Sequence, residues 1–158
     1  MNDSSTAPRM AVTAAWAAAL LLGVVGAFHA AIVLGAPWGE YTQGGGTTGT
    51  ADTSGRAVAA VSCVIAAAMA AAMLGRVGRG PLRRFPPSVT TVLAWFTMVY
   101  AVVGVVLNLI TRSAAERALW APVSAVLLGL VAVVMFTTHR KPVRSSEGTS
   151  AHPRSADR

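Results

Sequence analysis

Four stretches of the chain contain no Lys, Arg, Asp or Glu: Ala11 to Leu34, Ala57 to Leu74, Ser88 to Ile110 and Leu119 to Thr138. A bilayer core is about 30 Å thick, and a helix rising about 1.5 Å per residue needs roughly 20 apolar residues to cross it. Each stretch is long enough for one crossing and too long for a barrel strand. Hydrocarbon offers no partner to a loose backbone group, so each must be helical. The pattern predicts an all-α membrane four-helix bundle over residues 11–138, with spans at about 11–34, 57–74, 88–110 and 119–138. A cytoplasmic leader, residues 1–10, precedes it, and a polar cytoplasmic tail, residues 139–158, is expected to be disordered. The first run has 24 residues, against roughly 7–15 for the apolar region of a signal peptide, and is read as a span.

Within the spans, spacing suggests how the helices meet. Ala15, Ala19, Gly23, Ala27 and Ala31 lie four apart in span one, and Ala125 and Gly129 repeat the interval in span four. Such small-residue rows let helix backbones approach closely. Span two is half alanine and reads as the weakest span, so it is expected in the bundle interior. Pro122 falls in the first turn of span four as bounded here, where its missing donor costs little.

Charge sets the orientation. Only 12% of the residues are charged, against about 25% in ordinary soluble domains, yet the net charge is +7. Arg76, Arg79, Arg83 and Arg84 lie between spans two and three, and Arg140, Lys141, Arg144, Arg154 and Arg158 follow span four. By the positive-inside rule these segments face the cytoplasm, as then does the N-terminus. No aromatic interleaving or recognised motif accompanies the arginines, so nucleic acid is not an expected partner; the lipid bilayer is, together with another membrane protein or a second copy. The bias to Ala, Val, Gly and Arg fits a bacterium, hence the bacterial cytoplasmic membrane.

Candidate chemistry is sparse. Cys63 is the only cysteine, which excludes disulfide frameworks and paired-thiol redox sites. No nucleophile elbow, phosphate loop or HExxH motif occurs, so no catalytic residue, cofactor or metal is assigned. His29 and Glu40 with Cys63 fall short of a tight metal site, and His139 and His152 are predicted on the opposite side. The polar residues near the outer boundary do share a level: His29, Asn108 and Cys63 lie within the spans, with Glu40, Arg112, Glu116 and Arg117 just above. Trp38, Tyr41 and Trp120 suit the headgroup interface. Two arrangements fit. In one, His29, Glu40 and Asn108 line an outward-facing pocket; in the other they are structural, with Glu40 paired to Arg112 or Arg117 so that the first loop is braced against the third.

The segments "GAPWGEY" followed by Gly-Gly, and "LNLIT" with "ERALWAP", resemble a family of small uncharacterised bacterial integral membrane proteins with four helices. The Gly-rich stretch from Gly44 to Thr50 departs from that family's more compact loop. The resemblance implies location and shape and brings no mechanism. The expected function is that of a structural or accessory membrane subunit without catalytic activity; the alternative is a transporter or binder of a small molecule with an outward-facing polar pocket.

Overall fold

The computed structural model describes residues 7–138. Four α-helices are present among them and no strand: α1 (Arg9–Val33), α2 (Thr53–Arg76), α3 (Pro87–Ile110) and α4 (Ala114–Thr138). All four are long and apolar enough to cross a membrane. The predicted leader and tail lie mostly outside the described residues.

Local chemistry explains each boundary. α1 ends where Gly35 takes φ +99°, with the Gly35 N–H on Ile32 O and the Ala36 N–H on Ala31 O. This is a Schellman closure, which satisfies two carbonyls left over at the helix end and needs a residue free to adopt positive φ. α2 closes the same way through Gly78, at φ +71°, with Arg79 N–H on Leu74 O. α2 begins at Thr53, four residues before its apolar run, because the Asp52 carboxylate caps it by accepting from the Gly55 N–H at 2.7 Å. Arg56, in the first turn of α2, donates from Nε to Val33 O at 2.8 Å and so places a cation on the α1 C-terminus. Pro87 starts α3 at a position that needs no N–H donor.

α4 differs from expectation. It starts at Ala114, not Leu119, because Ser113 caps it: Ser113 Oγ accepts from the Glu116 N–H at 3.1 Å. The link from α3 shrinks to residues 111–113. Pro122 consequently sits inside the helix, beyond the first turn where its missing N–H would be free of cost.

The helices form a ring in which α1 packs on α2 and α4, while α3 packs on α4 and α2. Packing is uneven along the bundle axis. The core of Ala11, Ala14, Ala15, Ala18, Met69, Met73, Val77, Ala94, Val131, Val134 and Met135 occupies the half nearest the α2–α3 arginines. Alanine dominates the α1 side, and methionine from α2 and α4 fills the gaps its small side chains leave. α2 is the most covered helix, with 33% of its apolar window buried against 17% to 28% for the others. Side-chain size explains this better than weak hydropathy, since its mean hydropathy of 2.4 equals that of α4.

The small-residue row of α1 is not the packed face. The buried line runs Ala11, Ala15, Ala18, Leu22, Gly26, Ile32, while Gly23 and Ala27 are exposed. A strict four-residue step advances about 400° and drifts across the surface, whereas alternating three- and four-residue steps stay on one seam. His29 continues that seam, seven residues beyond Leu22.

Candidate functional site

α3 is well packed only over its first half. Thr90, Ala94, Thr97 and Ala101 are buried, and no residue from Val102 to Ile110 is. The far end of α3 therefore lies less tightly against the ring, and a cavity of about 320 Å³ opens among all four helices at the end away from the arginines. Its apolar wall includes Leu22 and Val25 of α1, Ile65 and Met69 of α2, Leu107 of α3 and Leu127 of α4. Polar groups converge on it from every element: His29, Ser62, Tyr100, Asn108, Glu116, Trp120 and Ser124, with Thr42 from the first loop.

His29 has a fixed role for one ring nitrogen. Nδ1 lies 2.8 Å from the Val25 carbonyl one turn back, and a carbonyl can only accept, so Nδ1 carries the proton. In the neutral ring Nε2 is then an acceptor. The ring lies 6.4 Å from that of Trp120. Phe28 holds the surroundings together: it stacks on Trp38 at 5.6 Å and 11°, and meets Trp120 edge-on at 4.7 Å. One side chain of α1 is thereby packed against both the first loop and α4.

The first loop is tied down by a clasp on the start of α4. Trp120 Nε1–H donates to Tyr41 O at 2.6 Å, and the Ser113 hydroxyl donates to Glu40 O at 2.9 Å. The Glu116 carboxylate accepts on Oε2 from the Gly44 N–H at 2.9 Å and from the Thr111 hydroxyl at 2.6 Å. Gly44 stands at φ +79°, which turns its N–H toward that carboxylate at no steric cost to a glycine. Gln43 Nε2 donates to Gly55 O and binds the same loop to α2.

The loop is therefore braced against the α3–α4 link, as one sequence arrangement required, by different groups from those expected. Glu40 is exposed and contributes its carbonyl, and Arg117 donates from Nη1 to Thr111 O at 2.7 Å. Glu116 is the carboxylate that makes the tie. Of the sequence candidates, His29, Asn108, Glu116 and Trp120 line the cavity; Glu40, Arg112, Arg117, Trp38 and Tyr41 surround it without lining it, and Cys63 lies beside the lining residue Ser62. Among the described residues, no three of His, Cys, Asp and Glu gather as a metal-holding group.

Ser62, Tyr100 and Ser124 were missed by the sequence reading, although a signal existed. Ser62 shares a helical face with Ala66 and Met69, Tyr100 with Gly104 and Asn108, and Ser124 with Glu116 and Trp120, all at steps of three, four or eight. No family model, curated protein or solved structure matches the chain.

Proposed function

We propose that this protein is a non-catalytic binder of a small molecule in the bacterial cytoplasmic membrane, with both termini in the cytoplasm and the cavity opening toward the outer face. The observation that carries this reading is the cavity, apolar in most of its wall yet met by polar side chains from all four helices and the first loop. Ligand sites have that composition: apolar area supplies affinity, and a few placed polar groups fix orientation. The orientation rests on Arg76, Arg79, Arg83 and Arg84 at the opposite end. Binding is preferred to catalysis because the lining offers one imidazole and one carboxylate, and that carboxylate is engaged in holding the loop.

A second reading, an accessory subunit, is favoured by a separate observation. Gly23 and Gly129 are exposed, and a side chain added at either would meet nothing within 4 Å. Glycines turned outward are where a neighbouring membrane helix could approach closely.

Native mass spectrometry of the gently solubilised protein separates the two. A small molecule bound to the single chain, lost when Gly104 is enlarged to Phe, supports the binder. A second polypeptide at fixed stoichiometry with an unliganded cavity refutes it in favour of the subunit.

A further inference from the structure

We propose that the cavity takes a lipid-soluble amine, its protonated head held at Glu116 and His29 and its apolar body lying between α2 and α3. This rests on the binding reading above and adds the ligand's chemical class.

Charge and hydrogen-bonding capacity select the head. Glu116 is the one carboxylate in the lining, and no Lys or Arg lines the cavity. Of the arginines at this end, Arg117 donates to Thr111 O and Arg56 to Val33 O, and Arg112 stands outside the lining. Two donors at this end are spent on the loop, since Trp120 Nε1–H goes to Tyr41 O and the Thr111 hydroxyl to Glu116, while the Asn108 amide and the Tyr100 hydroxyl in the lining can donate or accept. Three acceptors have a fixed role. Both protein donors to Glu116 reach Oε2, which leaves Oε1; His29 keeps Nε2; and the Ser124 hydroxyl, donating to Ala121 O, keeps its lone pairs. An anionic head would face a carboxylate with no compensating cation. An ammonium group brings the donors these acceptors lack, and the Trp120 ring adds a face attractive to a cation.

The shape of the opening selects the body. α3 has no buried residue after Ala101, and its Val103 and Leu107 are 48% and 57% exposed while also lining the cavity. On α2, Val61 and Val64, next in sequence to the lining residues Ser62 and Ile65, are 60% and 70% exposed. In a bilayer these surfaces face hydrocarbon, so the cavity communicates with lipid through its side. Lining residues on α4 run from Glu116 to Leu127, eleven residues further on, or about 16 Å of depth at helical rise. A polar head at the top with an apolar chain below matches that span.

The test uses the full chain in nanodiscs of phosphatidylcholine, which carries no net charge, with radiolabelled n-decylammonium as probe and decanoate and 1-decanol as competitors of equal length. The expected result is one saturable site per chain, with both competitors weaker by about tenfold or more, the worth of one charge-assisted hydrogen bond. Glu116→Gln, which preserves shape and an acceptor oxygen, should weaken the amine by a similar factor and erase the preference. Gly104 lines the cavity with nothing within 4 Å of a Cβ built on it, so Gly104→Phe should abolish saturable binding. If 1-decanol or decanoate competes as well as the amine in the unmutated protein, the amine assignment is overturned while the cavity stands as a site. If labelled amine in protein-loaded discs equals that in empty discs, and neither competitor binds, both the ligand class and the site fall.

Discussion

Replacing Glu116 by Ala removes one carboxylate and leaves two donors without it. The Gly44 N–H, 2.9 Å away, is exposed, so water takes over and the net loss is on the order of 0.5–1 kcal/mol. The Thr111 hydroxyl, at 2.6 Å, is partly buried beside the α3 terminus, and a bond to a charged acceptor there contributes about 1.5–2 kcal/mol. The loop is tied at three further points, to Ser113 and Trp120 at the start of α4 and to Phe28 of α1, so the effect should appear as local opening rather than global unfolding. Only the Gly44 bond ties the loop, so its protection falls by about 0.5–1 kcal/mol, or roughly 2- to 5-fold in the opening equilibrium, while the loss at Thr111 falls on the α3–α4 link. The assay is hydrogen–deuterium exchange with mass spectrometry in nanodiscs, following the peptide that spans residues 39–49. Glu116→Ala should speed its exchange by that factor and leave α2 and α4 protected toward the arginine end. Glu116→Gln, which keeps one acceptor oxygen, should show a smaller increase. Unchanged exchange in the alanine variant would refute the clasp, because the loop would then be held by its own turns.

Three more outcomes check other parts of the argument. Gly45 stands at φ +68°, and a Cβ there would lie 2.6 Å from Ser113 Cβ, so Gly45→Ala should destabilise the loop by about 2–4 kcal/mol; the companion change Ser113→Gly should relieve the steric share in a double-mutant cycle. The Asp52 carboxyl is held below its ordinary range by the Gly55 N–H first and the Ser54 hydroxyl second. Its stabilisation of the α2 start is therefore complete above about pH 4 and is lost as pH falls through the lower folded value. Amide exchange over residues 53–57 should follow that profile after correction for the intrinsic rate, and Asp52→Asn should flatten it. Met73 is fully buried in the core, and Met73→Ala should cost about 1–2 kcal/mol by reversible unfolding in detergent, below the 2–5 of soluble cores. Lipid already solvates apolar groups, so the packing contribution is what remains to be lost.

The spans were legible because hydrocarbon leaves so little choice: α3 begins within one residue of its predicted start and ends where expected. The starts of α2 and α4 were placed late for a common reason. Each helix continues beyond the apolar run on a capped polar turn, Asp52-Thr-Ser-Gly and Ser113-Ala-Ala-Glu, and a search for charge-free stretches stops at the first Arg or Glu. Those caps were readable, and reading them would have moved Glu116 from a loop onto a helix, one turn before Trp120. That shift decides the site. Level along the membrane normal follows from counting residues, so His29, Glu40, Asn108 and Glu116 all looked equivalent. Azimuth around each helix follows from packing, and it separates Glu116, which lines the cavity, from Glu40, which does not.

The two halves of the bundle are closed by different means, and the division bears on function. Helices in lipid gain little from apolar burial and associate through close contact. At the arginine end that contact is available, because alanines of α1 admit methionines of α2 and α4, and α3 reaches in as far as Ala101. At the other end it is not. There α3 carries Tyr100, Leu107 and Asn108 on its inward side, Gly104 supplies nothing to fill the gap, and the interior stays open. Closure passes to the first loop, held by hydrogen bonds of modest individual strength from Ser113, Glu116 and Trp120. A packed half fixes the helices, while a hydrogen-bonded cover can open without disturbing them. Glu116 belongs to both the cover and the cavity wall, with Oε2 holding Gly44 and Thr111 and Oε1 left for an amine. Occupation of the cavity should accordingly leave the 39–49 peptide at least as protected in the exchange experiment, and a ligand that loosened it would show that the amine draws the carboxylate away from Gly44.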